Sequence, residues 1–275
     1  MRFRIPDWLI YAALIGLFYN YARTRTENLP APPPPPVELG DMLPDQSPFD
    51  ERVLVEIGTP ESGSGTAFAI DDEGTWVTAR HVVDACDETY LYTGGRKAVR
   101  ATVANSPSSD VAVLRTDWSR PPLPSDIGTA KRVGERGYFF GYPQGRPGEV
   151  VGTLIGRARM QVRGRYRTDE PVFAWSEVGR TRGLLGSLGG LSGGPVLDED
   201  GEVVGVVAAE NPRRGRVYSV APISLRSVFE DPREAPEPIE GASYGTTADR
   251  YRRERRIVQV VCLVDDEGWF QFRER

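Results

Sequence analysis

From Arg52 onward the chain alternates short apolar, β-rich runs with turns rich in Gly, Pro and Asp. Val53–Ile57 switches between apolar and polar positions with the period of a half-buried strand. Gly63–Ile70 follows, and Asp71–Gly74 reads as a turn. Trp76–Thr78, Tyr90–Tyr92, Lys97–Ala104 and Val111–Leu114 read as further strands, until the polar, Pro-rich stretch Asp117–Asp126 breaks the series. A second series comprises Gly137–Phe140, Glu149–Leu154, Arg157–Val162 and Val172–Ser176. It continues with a hairpin in which Val196–Leu197 and Val203–Ala208 flank the turn Asp198–Gly201, and ends at Val217–Val220. Two sets of about six short strands joined by one longer connection predict an all-β fold of two antiparallel barrels. The expected spans are 49–128 and 129–232, with Pro222–Phe229 as a closing helix. There is no internal sequence repeat.

The two ends break this pattern. Trp8–Tyr19 is apolar and uncharged, with Arg2 and Arg4 before it and Arg23 and Arg25 after it. It is short for a membrane span, reaching about 17 residues only if Ile5–Tyr21 is counted. Residues 1–22 are therefore expected to be an uncleaved anchor that meets a membrane through residues 8–21. A signal peptide is a second reading, although Tyr19–Ala22 has few of the small residues that precede a cleavage site. A surface docking helix is the third. The flanking arginines are equal in number, so orientation is not fixed. Residues 23–48 form a linker, and its Pro30–Pro36 core is a polyproline spacer about 22 Å long. A second Pro- and Glu-rich link, Pro232–Gly241, leads into an extension over 233–275. There Ile257–Val264 and Trp269–Phe272 flank Asp265–Gly268 as a β-hairpin. Its apolar alternation needs a partner surface, such as one of the barrels.

Composition changes this picture little. The net charge of -5, with mixed signs, gives no nucleic-acid footprint. Arginine clusters at Arg157–Arg167 and Arg250–Arg256 are followed by acidic residues and read as solvated faces. Cys86 and Cys262 form a disulfide if the compartment is oxidising and are two buried thiols otherwise. Two cysteines and one histidine at these spacings are too few for a zinc site, and the chain implies no metal or cofactor.

Candidate chemistry centres on the single histidine. His81 lies in Trp76–Val83, and Ser192 lies 111 residues downstream in Gly189–Pro195. A serine becomes a strong nucleophile when a neighbouring base takes its proton, and this chain has one imidazole to do so. Gly190–Gly194 formally matches the G-x-S-x-G elbow of α/β-hydrolases, but that elbow needs a histidine after the serine and none follows Ser192. Pro195 and the Val-rich run behind it also point to a strand where the elbow opens a helix. A subtilisin-like order would draw on Asp71 or Asp72, against the barrel pattern. The remaining order is His, Asp, Ser. Asp110, at the mouth of an apolar strand 29 residues after His81, fits the acid; Asp84 and Asp87 read as caps on the turn after the histidine.

With these residues in place, the chain resembles trypsin-like (chymotrypsin-fold) serine proteases of the bacterial HtrA-like kind. Gly65-Thr-Ala-Phe68, Val77–His81, Asp110–Leu114, Gly141–Gly145 and Ser192–Val196 match in the family's order across about residues 52–225. The Ser-His-Asp triad has its archetype in this family. The resemblance implies an endopeptidase in which Ser192 attacks a peptide carbonyl, His81 is base and then acid, and Asp110 holds the imidazole. It implies an oxyanion hole from the N–H groups of Gly190 and Ser192. It also implies a substrate pocket with Gly186 at its base and Val207, Ala208 and Ala209 on its wall. With no acid at that base, a small or medium apolar side chain before the cleaved bond is expected, and Glu210 is the nearby charge that would change this. The implied partners are a protein or peptide substrate, and the implied location is periplasmic or otherwise extracytoplasmic. Two departures stand out. Leu191 precedes the serine where relatives carry polar residues, so activation through a new N-terminus paired with an acid is not expected. Gly183–Gly190 reads as a mobile loop that settles on substrate or a partner. No PDZ-like stretch follows residue 232. A catalytically silent module of the same fold that binds peptides is the alternative.

Overall fold

The computed structural model describes residues 11, 13–17, 33–95, 97–229 and 235–264. The strands in chain order are β1 (Glu51–Ile57), β2 (Gly63–Ala69), β3 (Thr75–Ala79), β4 (Glu88–Gly94), β5 (Lys97–Asn105) and β6 (Val111–Arg115). They continue as β7 (Arg136–Gly141), β8 (Gly148–Gly164), β9 (Thr168–Arg180), β10 (Pro195–Leu197), β11 (Val203–Asn211), β12 (Arg216–Val220) and β13 (Ile257–Leu263). Helix α1 is one turn, Arg80–Val83; α2 is Pro222–Leu225; α3 is Tyr244–Arg253. The predicted closing helix is thus present over its first half.

One closed barrel runs β13-β2-β3-β6-β5-β4. A seven-stranded sheet runs β1-β8-β7-β10-β11-β12-β9, with β8 also paired to β9. The sequence expectation differs here in three respects. Glu149–Leu154 and Arg157–Val162, read as two strands, form the single strand β8, carried through by a register shift against β9 between Leu154 and Gly156. Val53–Ile57 does not enter the barrel: β1 pairs in parallel with β8, from Glu51↔Ala158 to Ile57↔Gly164. The barrel's sixth strand comes instead from the C-terminal extension, where β13 inserts between β2 and β4.

The residue pattern explains this exchange. β1 alternates, so Val53, Val55 and Ile57 pack inward while Glu51, Arg52 and Leu54 stay exposed, which suits the edge of a sheet with one wet face. β13 is almost continuously apolar and needs cover on both faces. Its Val258 and Val260 point into the barrel with Ala67, Ala69, Trp76, Leu91, Ala112 and Leu114, while Ile257 faces the seam. The same alternation splits other strands. Phe68 and Val77 leave the barrel to meet Tyr138 and Phe140 of the sheet, whereas Phe139 turns inward against Trp175 and Val196. The molecule therefore has three apolar layers, one inside the barrel, one inside the sheet and one between them.

The links are docked segments. The Pro35 carbonyl accepts a hydrogen bond from Arg136 Nη2 at 2.6 Å, and Leu43 is buried, so the described part of the expected spacer lies on the sheet. Before β13 crosses to the barrel, α3 anchors it to the sheet through Arg252, which donates to Glu149 Oε2 at 2.9 Å and to the Gly148 carbonyl at 3.1 Å. Arg252, Arg256 and Arg165 are not the solvated residues their clusters suggested, because each is bonded to a carboxylate or carbonyl inside the fold. Cys86 and Cys262 form a disulfide with 5.4 Å between their Cα atoms, tying β13 to the turn after α1. The predicted anchor, residues 1–22, lies largely outside the described residues; within it, Tyr11 and residues 13–17 are helical and exposed. No helix among the described residues is long and apolar enough to cross a membrane. The second strand of the predicted C-terminal hairpin also lies outside the described residues.

The disulfide closes a loop of 176 residues, and chain-entropy arguments put such a link at about 2–5 kcal/mol. Replacing both cysteines by serine is expected to lower the thermal midpoint and to open 257–263 to protease before the sheet unfolds. Differential scanning calorimetry with timed proteolysis checks this; an unchanged midpoint and cleavage pattern would show that packing alone retains the strand.

Candidate active site

Asp110 stands at the entrance to β6, where Val111 pairs with Ala79 at the end of β3. The chain then turns into α1, and Arg80 N–H donates to the Asp110 carbonyl at 3.1 Å. This places His81 over the Asp110 carboxylate. His81 Nδ1 lies 2.7 Å from Oδ2, and the His81 backbone N–H donates to Oδ1 at 2.9 Å. Asp110 is 1% exposed. Burial of the imidazole opposes its protonation, and the repulsion of Arg165 adds to that. The charge and hydrogen bond of Asp110 outweigh both, so the His81 pKa is raised above its ordinary value.

Ser192 comes from the sheet, on the turn before β10. Its carbonyl accepts from Thr66 N–H of β2 at 2.9 Å. Gly193, at φ +83°, lies so close to the barrel that a Cβ there would sit 2.3 Å from the Thr66 carbonyl oxygen and 2.7 Å from the Ala79 nitrogen. Ala79 is two residues before His81, so Ser192 and the His81–Asp110 pair meet across the seam. Among the described residues Ser192 Oγ and His81 Nε2 make no hydrogen bond. Thr66 is the tie: its Oγ1 donates to the Gly190 carbonyl at 2.8 Å and accepts from Tyr142 N–H at 3.0 Å.

The N–H groups of the turn sort cleanly. Leu188 donates to Glu210, Gly189 to Ser187 Oγ, Leu191 to the Leu188 carbonyl, Gly193 to that of Val207 and Gly194 to that of Leu191. Those of Gly190 and Ser192 have no partner among the described residues. Leu191 is fully buried in the apolar layer inside the sheet, where it pins the turn as an apolar plug. Gly183–Gly190, the loop expected to be mobile, is bonded on three sides. Gln144 Nε2 donates to the Leu185 and Ser187 carbonyls at 2.6 and 2.8 Å, Arg180 to that of Gly186 at 2.9 Å, and Glu210 receives Ser187 and Leu188.

A cavity of about 30 Å³ opens beside Ser192, walled by Leu188, Val207, Ala209, Glu210 and Val217. Val207 and Ala209 thus line it, whereas Ala208 faces the layer between barrel and sheet, as alternation along β11 requires. Gly186 is not on its wall, since its carbonyl is turned to Arg180.

Sequence reasoning missed two side chains on Asp110. Tyr166 Oη donates to Oδ1 at 2.7 Å, and Glu170 Oε1 accepts the Asp110 backbone N–H at 2.6 Å while Oε2 accepts Ser109 Oγ at 2.5 Å. Tyr166 sits in an Arg-rich turn and Glu170 in a polar Thr-Asp-Glu-Pro stretch, and neither pattern signals burial. Thr66 was within reach, inside the Gly65-Thr-Ala-Phe68 segment.

The barrel, the sheet and a buried His–Asp pair facing a serine turn define a mostly β, chymotrypsin-like protease fold. A family model for the trypsin-like peptidase domain matches residues 65–206, just over half of the chain, and the chain belongs to that family. It is 31% identical over 144 residues to serine protease Rv3671c of Mycobacterium tuberculosis, covering 52% of this chain and 35% of that protein. It is 28% identical over 151 residues to Protease Do-like 1, chloroplastic, of Arabidopsis thaliana, covering 54% and 33%. A probable periplasmic serine endoprotease DegP-like of Bartonella henselae is 31% identical over 158 residues, covering 56% and 29%. The chain thus spans about a third of the length of these relatives. Among solved structures, the active form of the Rv3671c protease superposes with a TM-score of 0.51 at 24% identity, covering 66% of this chain and 78% of that one, a likeness of fold.

Glu170 supplies a pH test. Burial, partly offset by its hydrogen bonds from Ser109 and Asp110 and reinforced by the Asp110 charge, pushes its pKa from 4.5 up to about 7. The folded state then binds this proton more tightly than the unfolded chain, so the group favours folding below about pH 4.5 and that contribution is lost as pH rises through about 7. Glu170→Gln mimics the protonated acid, and its stability relative to wild type is expected to climb by up to about 3 kcal/mol between pH 4.5 and 8. Urea midpoints across that range check it; a pH-independent difference would show that Glu170 titrates normally.

Proposed function

We propose that the chain is a serine endopeptidase that cleaves peptide bonds through an acyl-enzyme, with His81, Asp110 and Ser192 as its triad. The observation that carries this is the 2.7 Å contact of His81 Nδ1 with a buried carboxylate across the seam from Ser192, in the chain's single histidine. Asp110 fixes the Nδ1–H tautomer and leaves the Nε2 lone pair for the Ser192 proton. Ser192 Oγ attacks the carbonyl, and the imidazolium then protonates the leaving amine. The N–H groups of Gly190 and Ser192, left unpaired while their neighbours are bonded, stabilise the oxyanion. With Leu191 as a buried plug, the hole is formed without a new N-terminus.

The finer architecture follows the same reading. The β8–β9 pairing supports reading the sheet as the second barrel of a double-barrel protease. The cavity beside Ser192 admits a small apolar side chain before the scissile bond, bounded by Val207, Ala209 and Val217, with Glu210 committed to the loop. The disulfide favours an oxidising, extracytoplasmic location, in protein quality control or regulated processing. Residues 8–21 would hold the chain at a membrane.

A fluorophosphonate probe tests the chemistry. Wild type is expected to label, Ser192→Ala not at all, and His81→Ala slower by about 10³-fold or more, with no other imidazole to substitute. Because the base works unprotonated and its pKa is raised, labelling is expected to rise with pH along an acid limb centred above 6.5. A wild-type chain that never labels would favour the silent, peptide-binding module.

A further inference from the structure

Two buried polar side chains on Asp110 have no part in the triad chemistry just described, and both ride on the same hairpin of the sheet. Strands β8 and β9 are the longest of the sheet, and their connecting turn reaches the barrel beside α1. Tyr166 in that turn is 8% exposed, and Glu170 at the start of β9 is 2% exposed. Asp110 Oδ1 receives two hydrogens, one from Tyr166 Oη at 2.7 Å and one from the His81 backbone N–H at 2.9 Å, which leaves Oδ2 for His81 Nδ1. Glu170 grips the other end of the residue, through the Asp110 backbone N–H and Ser109 Oγ.

The hairpin turn is itself pinned. Gly164, at φ +111°, packs so tightly on β1 that a Cβ there would lie 2.0 Å from the Ile57 carbonyl oxygen. The Arg80 guanidinium lies 3.8 Å from the centroid of the Tyr166 ring, and Arg165 Nε is 3.2 Å from Asp84 Oδ2. A carboxylate turns about its terminal bond at low cost, so an Asp held only by its histidine can present either oxygen. Two donors on Oδ1 remove that freedom.

We propose that Tyr166 and Glu170 are positioning residues for the His81–Asp110 pair, so that the sheet, through its longest hairpin, sets the geometry of a proton relay carried by the barrel. The inference rests on the triad reading for its catalytic consequence. Tyr166 is a permanent donor: burial and the neighbouring Asp110 charge hold its phenol far above the ordinary tyrosine range. The charged groups facing this cluster are Arg80 and Asp84 of α1 and its C-terminal end, Arg165 of the hairpin turn and His81 itself.

The test uses Tyr166→Phe, Glu170→Ala and Glu170→Gln in the full chain, with two independent readouts. The first is the fluorophosphonate labelling rate, with kcat and KM on a cleaved peptide. The second is the NMR titration of the single imidazole and its Nδ1 proton, which needs no catalysis. Tyr166→Phe and Glu170→Ala are expected to slow labelling about tenfold and lower kcat with KM within about twofold, while Glu170→Gln, which keeps an acceptor for the Asp110 N–H, restores most of the rate. In Tyr166→Phe the His81 pKa is expected to move up, because the carboxylate no longer shares its charge with the phenol. Unfolding of Glu170→Ala would leave Tyr166→Phe and Glu170→Gln to decide. Variants that lose thermal stability but keep the rate and the His81 titration of wild type would overturn the proposal and leave the two residues merely structural. If wild type fails to label while Tyr166→Phe still shifts His81, the positioning stands and the triad reading falls.

Discussion

The close backbone approach between the Ser192 turn and β2 is the constraint on which the rest depends. His81 and Asp110 stand on the barrel side and Ser192 on the sheet; Thr66 joins the two by bonding to Ser192, Gly190 and Tyr142 within one buried corner. Gly193 shows how little room the contact leaves, because any side chain there would meet the Thr66 carbonyl and the Thr78 hydroxyl. The contact succeeds because both partners carry apolar side chains on the faces that meet. Phe68 and Val77 on one side and Tyr138 and Phe140 on the other bury the seam, so the polar atoms of the corner are paired in a dry setting, where hydrogen bonds are strong and unmade ones are costly.

Within that frame the turn acts by selective bonding. Five consecutive or near-consecutive N–H groups are bonded to carbonyls or side-chain oxygens, and two are withheld. Gly190 and Ser192 are partly exposed, so their two N–H groups stand open to an oxygen from outside the fold. Leu191 anchors the turn by apolar burial, worth about 2 kcal/mol or more for a side chain of that size, without engaging either of them.

Much of this was legible in the chain because order is a topological property that survives folding. His81 before Asp110 before Ser192 excluded the hydrolase elbow before any contact was known, and the strand series placed each residue at the end of a strand. What stayed hidden was non-local. Val53–Ile57 and Ile257–Leu263 both read as strands, and nothing in either says which will pair with Gly63–Ala69. That choice turns on whether one face or two must be covered, which emerges only when the neighbours are in place. Tyr166 and Glu170 were hidden for the same reason. A tyrosine among arginines and a glutamate before a proline look like surface, and they become interior only because β8 and β9 run long enough to carry them across the seam.

The exchange of β1 for β13 also has a consequence in time. The barrel that carries His81 and Asp110 is built from residues 63–115 and closed by residues 257–263. During synthesis the serine turn and its sheet are made long before that closing strand leaves the ribosome. The barrel therefore cannot close on a partly made chain, and the long span between its first and last strands makes closure a late, slow event. The span itself thus delays completion of the barrel until every residue between its first and last strands has been made.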